Sequence, residues 1–207
     1  MTIDSGRDWG RPAPLPPGVP LVRSDGELAA LLAAAHDRGA PPPEVGLLGG
    51  DLWRTLGAPP HQTDARFGGP AGEATRVLLD GVRAVLDGVV HHAAAHLVAR
   101  AVGWRGPFLL VMNAEWLGEW KLAPRAHPGD GLLDVLDGSL ALRQRLQARR
   151  RARFGEHVPH PAIRTYRAAE LAATFEPPRR VWLDGRSAGR CRHLEVAVEP
   201  DALIAYV

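Results

Sequence analysis

Three groupings of residues could do chemistry. Gly49-Gly50-Asp51 ends an apolar run, so its backbone N–H groups can turn toward an anion, and Arg54 on the following turn can pair with it. A plain strand-to-helix turn uses the same glycines. Arg143, Arg145, Arg149, Arg150, Arg151 and Arg153 crowd one stretch that has no acid between Leu140 and Phe154. Beside anionic phospholipid each such arginine is worth about 1 kcal/mol, against the simpler role of a solvated helix face. Nucleic acid fits less well, because no aromatic residues interleave the basic ones. His91, His92 and His96 invite a zinc reading. On a single strand, however, His92 and His96 share one face and His91 lies opposite, with no cysteine or third ligand spaced to finish a tetrahedron. Packing or surface is the better reading for them.

The elements that must position these residues follow from composition and periodicity. The chain has 207 residues, 45% of them apolar, and a formal charge of +2, enough for one sizeable domain or one domain with a small second lobe. Its basic charge is almost all arginine, since Lys121 is the only lysine. No window reaches the roughly 18 apolar residues of a membrane span, and the start shows no signal peptide, so a cytoplasmic address is expected. The single Cys191 has no disulfide partner and reads as a packing residue.

Residues 1–18 are rich in Pro and Gly and are expected to form a flexible tail. Ser24-Asp25-Gly26-Glu27 has the form of a capping box, followed by Leu28, Leu31, Leu32 and Ala35 on one helical face. Val45 to Leu48 and the piece ending at Leu56 repeat that strand-turn-helix pattern, giving an αβ unit over 19–62. Residues 57–75 lack periodicity and read as a connection. From 75 to 207 short apolar or alternating runs dominate, including Val89 to Val98, with hairpin turns at Asp87-Gly88 and Asp184-Gly185. Ser139 to Phe154 is the exception, a helix predicted to bury Leu142 and Leu146.

Asn113, Ala123-Pro124-Arg125-Ala126 and Gly129-Asp130-Gly131-Leu132-Leu133-Asp134-Val135, followed by the His157 to Pro161 segment and Asp184-Gly185, resemble the C-terminal half of diacylglycerol-kinase-like lipid kinases. The segment Leu48 to Gly57 is similar to the phosphate-side motif of that family, shortened by two residues. The resemblance implies an α+β fold, with a β-sandwich-like C-terminal domain and a reduced N-terminal αβ lobe. It implies ATP and lipid held between the lobes, with Asp25, Asp51 and Asp80 at catalytic positions and Gly26, Gly49, Gly50 and Arg54 on the nucleotide. It also implies a structural Mg²⁺ held by the carboxylate of Asp130 and the carbonyls of His127 and Leu132.

Phosphoryl transfer demands placement above all: bare backbone around the triphosphate, Mg²⁺, and a base for the acceptor hydroxyl. Here Arg23-Ser24 replaces a glycine pair, and Glu27 sets a negative charge where phosphate would sit. Arg186 occupies the general-base position, and a guanidinium stays protonated at any working pH. The unit that opens the nucleotide lobe in the family is replaced by the Pro-rich stretch. The sequence therefore reads as a non-catalytic lipid- or ligand-binding relative. Two alternatives stand beside it: an active ATP- and Mg²⁺-dependent kinase, completed by a second chain across a homodimer cleft, and a peripheral membrane module working through Arg143, Arg149, Arg150 and Arg153.

Overall fold

The computed structural model describes residues 10–57, 73–101, 104 and 106–207. Most of the expected connection over 57–75, and the boundary at 62, lie outside the described residues. An αβ unit comes first: β2 (Leu21–Val22), α1 (Asp25–Asp37), β3 (Glu44–Leu47) and α2 (Gly50–Thr55). It is preceded by a strand where a tail was expected. Gly10–Pro14 forms β1, paired antiparallel to β4 (Glu73–Leu86). It lies at the edge of the sheet, where the missing N–H groups of Pro12 and Pro14 are tolerated.

The remainder is mainly antiparallel sheet, formed by β4, β5 (Val89–Ala93), β6 (His96–Arg100), β7 (Pro107–Met112), β10 (Leu133–Ser139), β11 (Ile163–Ala168), β12 (Glu170–Leu183) and β13 (Arg186–Tyr206). The strand order is β1-β4-β13-β12-β6-β7-β10-β11, with β5 on β4, and β3 joining β13 in parallel. A small hairpin, β8 (Trp116–Leu117) with β9 (Trp120–Lys121), stands apart. Both Asp-Gly turns form as predicted, with φ values of 48° and 89° at Asp87-Gly88 and 47° and 77° at Asp184-Gly185.

Alternating side chains sort the interior into three regions. Leu97, Leu109, Val111, Leu133, Val135, Val181 and Leu194 meet between the folded-over halves of the sheet, with Cys191 among them as a packing residue. On the reverse of β6, β7 and β10, Val98, Leu110, Met112 and Leu136 are covered by Leu122, Ala123, Ala126 and Ala152. Leu28 and Leu32 of α1 and Leu52 and Trp53 of α2 pack with Val77, Leu79, Leu203 and Ala205. This last region locks the αβ unit onto β4 and β13.

Two expectations need correction. The run from Val89 to Val98 is two strands, because Ala94 and Ala95 break it, and the face parity assumed for His91, His92 and His96 fails with it. The helix after β10 is α3 (Leu142–Ala152), shorter than 139–154, and Leu142 and Leu146 are 67% and 60% exposed. Ala152 is the residue it buries. The helix stands above the sheet, so a correct periodicity does not bring its leucines into contact. Leu133→Ala is expected to lower urea stability by about 2–5 kcal/mol, while Leu142→Ser stays within about 0.5 kcal/mol of the parent. Equal losses in the two variants would contradict this placement of α3.

Candidate functional site

The two strand-to-helix turns of the αβ unit face one another across a distance that only glycine allows. A β-carbon at Gly49 would stand 2.5 Å from the Arg23 carbonyl oxygen, and one at Gly50, where φ is +99°, 2.6 Å from Asp25 Oδ1. The anion that this closeness admits is Asp25 itself. Its carboxylate accepts the N–H of Asp51 at 2.6 Å and of Leu52 at 3.1 Å, so it takes the free donors at the start of α2. Burial, reinforced by the nearby Asp184, pushes its pKa up to about 6. Ser24 caps α1 by accepting the Glu27 N–H at 3.3 Å, and Glu27 accepts the Arg23 N–H at 2.8 Å. Both side chains thus serve the helix start.

The remaining nucleotide-side residues are similarly engaged. Beside Gly26 lies the Arg186 side chain, 3.4 Å from where a β-carbon would be. Arg54 points away from the turn, stacking 3.4 Å over the Trp116 ring and donating to the Gly118 carbonyl at 2.8 Å.

Below these turns lies a residue that sequence reasoning set aside. His96, buried at the start of β6, places Nε2 3.0 Å from Asp51 Oδ2 and Nδ1 3.7 Å from Asp184 Oδ1. Burial alone would lower its pKa, but the Asp51 hydrogen bond and the negative field of Asp184 outweigh that and hold it up. Asp51 is half-buried, yet the His96 contact and the Gly118 N–H keep its pKa down. Asp184 accepts three N–H groups, from Ala94, Ala95 and His96. That clamp makes the break between β5 and β6 and turns His96 inward. No local signal in the sequence announces it, since 88 residues separate His96 from Asp184.

Asp80 belongs to a different knot. Its carboxylate accepts the N–H of Gly131 at 2.8 Å and of Asp201 at 3.1 Å, and its own N–H donates to the Pro128 carbonyl. It therefore ties the 127–132 loop to β4 and to the bulge of β13. Within that loop Asp130 pairs with Arg167, which also donates to Asp134 at 3.1 Å, and the His127 carbonyl accepts the Gly129 N–H at 2.9 Å. These residues do not fit a magnesium ion. A guanidinium already neutralises the carboxylate that would hold it, and one of the two carbonyls is closed into a turn.

One apolar space remains. Between α3 and the outer face of β7 and β10 lies a cavity of about 300 Å³, lined by Trp104, Phe108, Leu110, Trp120, Leu136 and Leu146 among others. Arg145 and Arg149 stand at its helix side, and Arg149 also lies over the Trp120 ring. Among the described residues the Trp120 indole N–H has no hydrogen-bond acceptor, and burial lowers the pKa of His157 at the same wall. Arg143, Arg150 and Arg151 are exposed, and Arg153 pairs with Glu119 at 3.0 Å.

The large antiparallel sheet carrying a small αβ unit is a mixed α/β architecture with a β-sandwich-like C-terminal domain. The family model described as the YegS C-terminal NAD kinase beta sandwich-like domain matches residues 75–207, and the chain belongs to that family, within the diacylglycerol-kinase-like superfamily. Among solved structures it is similar to a diacylglycerol kinase from Bacillus anthracis str. Sterne, with 17% identity and a TM-score of 0.55, covering 79% of this chain and 66% of that one. Another structure from the same organism, provisionally described as a diacylglycerol kinase, has 15% identity and a TM-score of 0.59, with 79% and 69% covered. The chain thus spans about two thirds of their length, and the likeness is one of fold. No curated protein matches it. No helix among the described residues is long and apolar enough to cross a membrane.

Two outcomes are expected. Folded Asp25 holds its proton more tightly than the unfolded chain does, so its stabilising contribution is complete below 3.8 and is lost as pH rises through about 6. Asp25→Asn should flatten the fall of urea stability across that window, and an unchanged slope would assign the titration elsewhere. For the loop, EDTA and Mg²⁺ should each leave the wild-type melting temperature within about 1 °C, whereas Arg167→Ala lowers it by about 4 °C or more. A Mg²⁺-dependent rise in the wild type would show that the ion displaces Arg167.

Proposed function

We propose that this chain is a non-catalytic relative of the lipid kinases that binds an amphipathic lipid. The observation that carries the reading is the apolar cavity beneath α3, which stays open while the donors at the start of α2 are taken by Asp25. A space of this size, with aromatic and aliphatic walls, suits an acyl chain. The unpartnered Trp120 N–H offers a donor to a hydroxyl or carbonyl next to that chain. Arg145 and Arg149 at the helix side, with Arg143, Arg150 and Arg151 exposed beyond, supply positive charge for an anionic head group or bilayer surface. Exposed Leu142, Leu146 and Phe154 add apolar contact on the same segment.

Catalysis is absent from this reading for a physical reason. Triphosphate would have to displace a buried carboxylate from the α2 N–H groups and meet Glu27, and Arg186 cannot take a proton from an acceptor hydroxyl.

The test combines two measurements. A fluorescent fatty acid should bind the purified chain with micromolar affinity, and Ala148→Trp, which fills the mouth of the cavity, should weaken it at least tenfold with unchanged circular dichroism. Arg149→Glu with Arg150→Glu should cut co-sedimentation with phosphatidylglycerol vesicles by a similar factor. Transfer of labelled phosphate from ATP to diacylglycerol, abolished by Asp51→Ala, would overturn the non-catalytic reading.

A further inference from the structure

A second cluster of ligating side chains lies away from the α1–α2 turns and the α3 cavity, and it takes in His92, which alternation along one strand assigns to packing or surface. His36 in the last turn of α1, His92 on β5 and Glu199 on β13 come from three separate elements, and their donor atoms all lie within 4.8 Å of one another. His92 Nδ1 is 3.1 Å from Glu199 Oε2, and the His36 and His92 ring centroids are 4.6 Å apart. Glu199 is paired with Gly81 of β4.

The arrangement is half enclosed. The His92 side chain is 5% exposed and that of Glu199 28%, whereas His36 is exposed. Beside them opens a cavity of about 440 Å³ lined by His36, Asp37, His91, His92 and Arg186. Two imidazole nitrogens and one carboxylate oxygen form a donor set that suits zinc and its neighbours, whereas Mg²⁺ and Ca²⁺ prefer oxygen alone. Ligand atoms on a tetrahedron around zinc are roughly 3.4 Å apart. The His92–Glu199 pair already has nearly that spacing, and rotation of exposed His36 supplies the third.

We propose that His36, His92 and Glu199 form a binding site for a divalent transition-metal ion of the zinc class, one that clasps the end of α1 to the sheet and leaves its fourth position facing the cavity. The site is independent of the lipid-binding reading, since the α3 cavity shares none of its residues. An ion there joins α1 to β5 and β13, adding a cross-link to the apolar packing of α1 and the β3–β13 pairing that already hold the αβ unit to the sheet.

The whole chain, stripped with chelator and dialysed, is titrated with Co²⁺ and with Zn²⁺. One equivalent of Co²⁺ should give the visible d–d bands of a low-coordinate ion, displaced by Zn²⁺, and calorimetry should show one Zn²⁺ per chain with micromolar or tighter affinity. His36→Ala, a change at an exposed position, and Glu199→Gln should each weaken binding at least tenfold, while His91→Ala, which lines the same cavity outside the triad, retains it. The inference is overturned if no stoichiometric binding occurs, if His36→Ala and Glu199→Gln bind as the parent does, or if His91→Ala abolishes the bands.

Discussion

The buried carboxylate of Asp25 is the contact on which the αβ unit depends. It accepts two N–H groups from the start of α2, and the glycines that let it do so are the ones that bring the two turns together. Remove the carboxyl group and the start of a six-residue helix loses its partner; replace Gly50 and the carboxyl group is forced away. The same economy recurs lower in the molecule, where Asp80 ties a loop to two strands and Asp184 holds the β5–β6 break. Each of these acids satisfies main-chain donors inside the protein, a strong use of a carboxylate in a poorly solvated place.

That use bears directly on function. An acid whose oxygens are both engaged by main-chain N–H groups is not available to a metal or a substrate proton without giving up structure. Asp51 is held by the His96 side chain and the Gly118 N–H together. Contacts from the β lobe thus complete the αβ unit, and the apolar cavity of the molecule lies elsewhere, under α3.

Much of this fold was legible in the sequence. The two strand-turn-helix units, the capping box at Ser24 and the Asp-Gly hairpins are local signals, and local physics decides them. What could not be read depends on distant partners. Pro12 and Pro14 argue against a strand until β4 is known to offer an edge. Leu142 and Leu146 have the spacing of a buried face, but periodicity does not report how far a helix stands from its sheet. The inward turn of His96 is imposed by Asp184, and the Arg167 that neutralises Asp130 is 37 residues away; neither pairing leaves a trace in spacing. Of the expected site residues, Asp25, Asp51 and Gly50 are brought together, whereas Arg54 and Asp80 serve other contacts.

The path of β13 has a dynamic corollary. Its 21 residues pair in turn with β12, β4 and β3, so one strand, bulged between Glu199 and Leu203, runs through both the sandwich and the αβ unit. Swinging one part against the other would strain the hydrogen-bonded ladders on either side of that bulge. Opening at the exposed Leu146 and Arg149 side chains beside the α3 cavity would use rotations on the picosecond to nanosecond scale of exposed rotamers, with no movement of the strands.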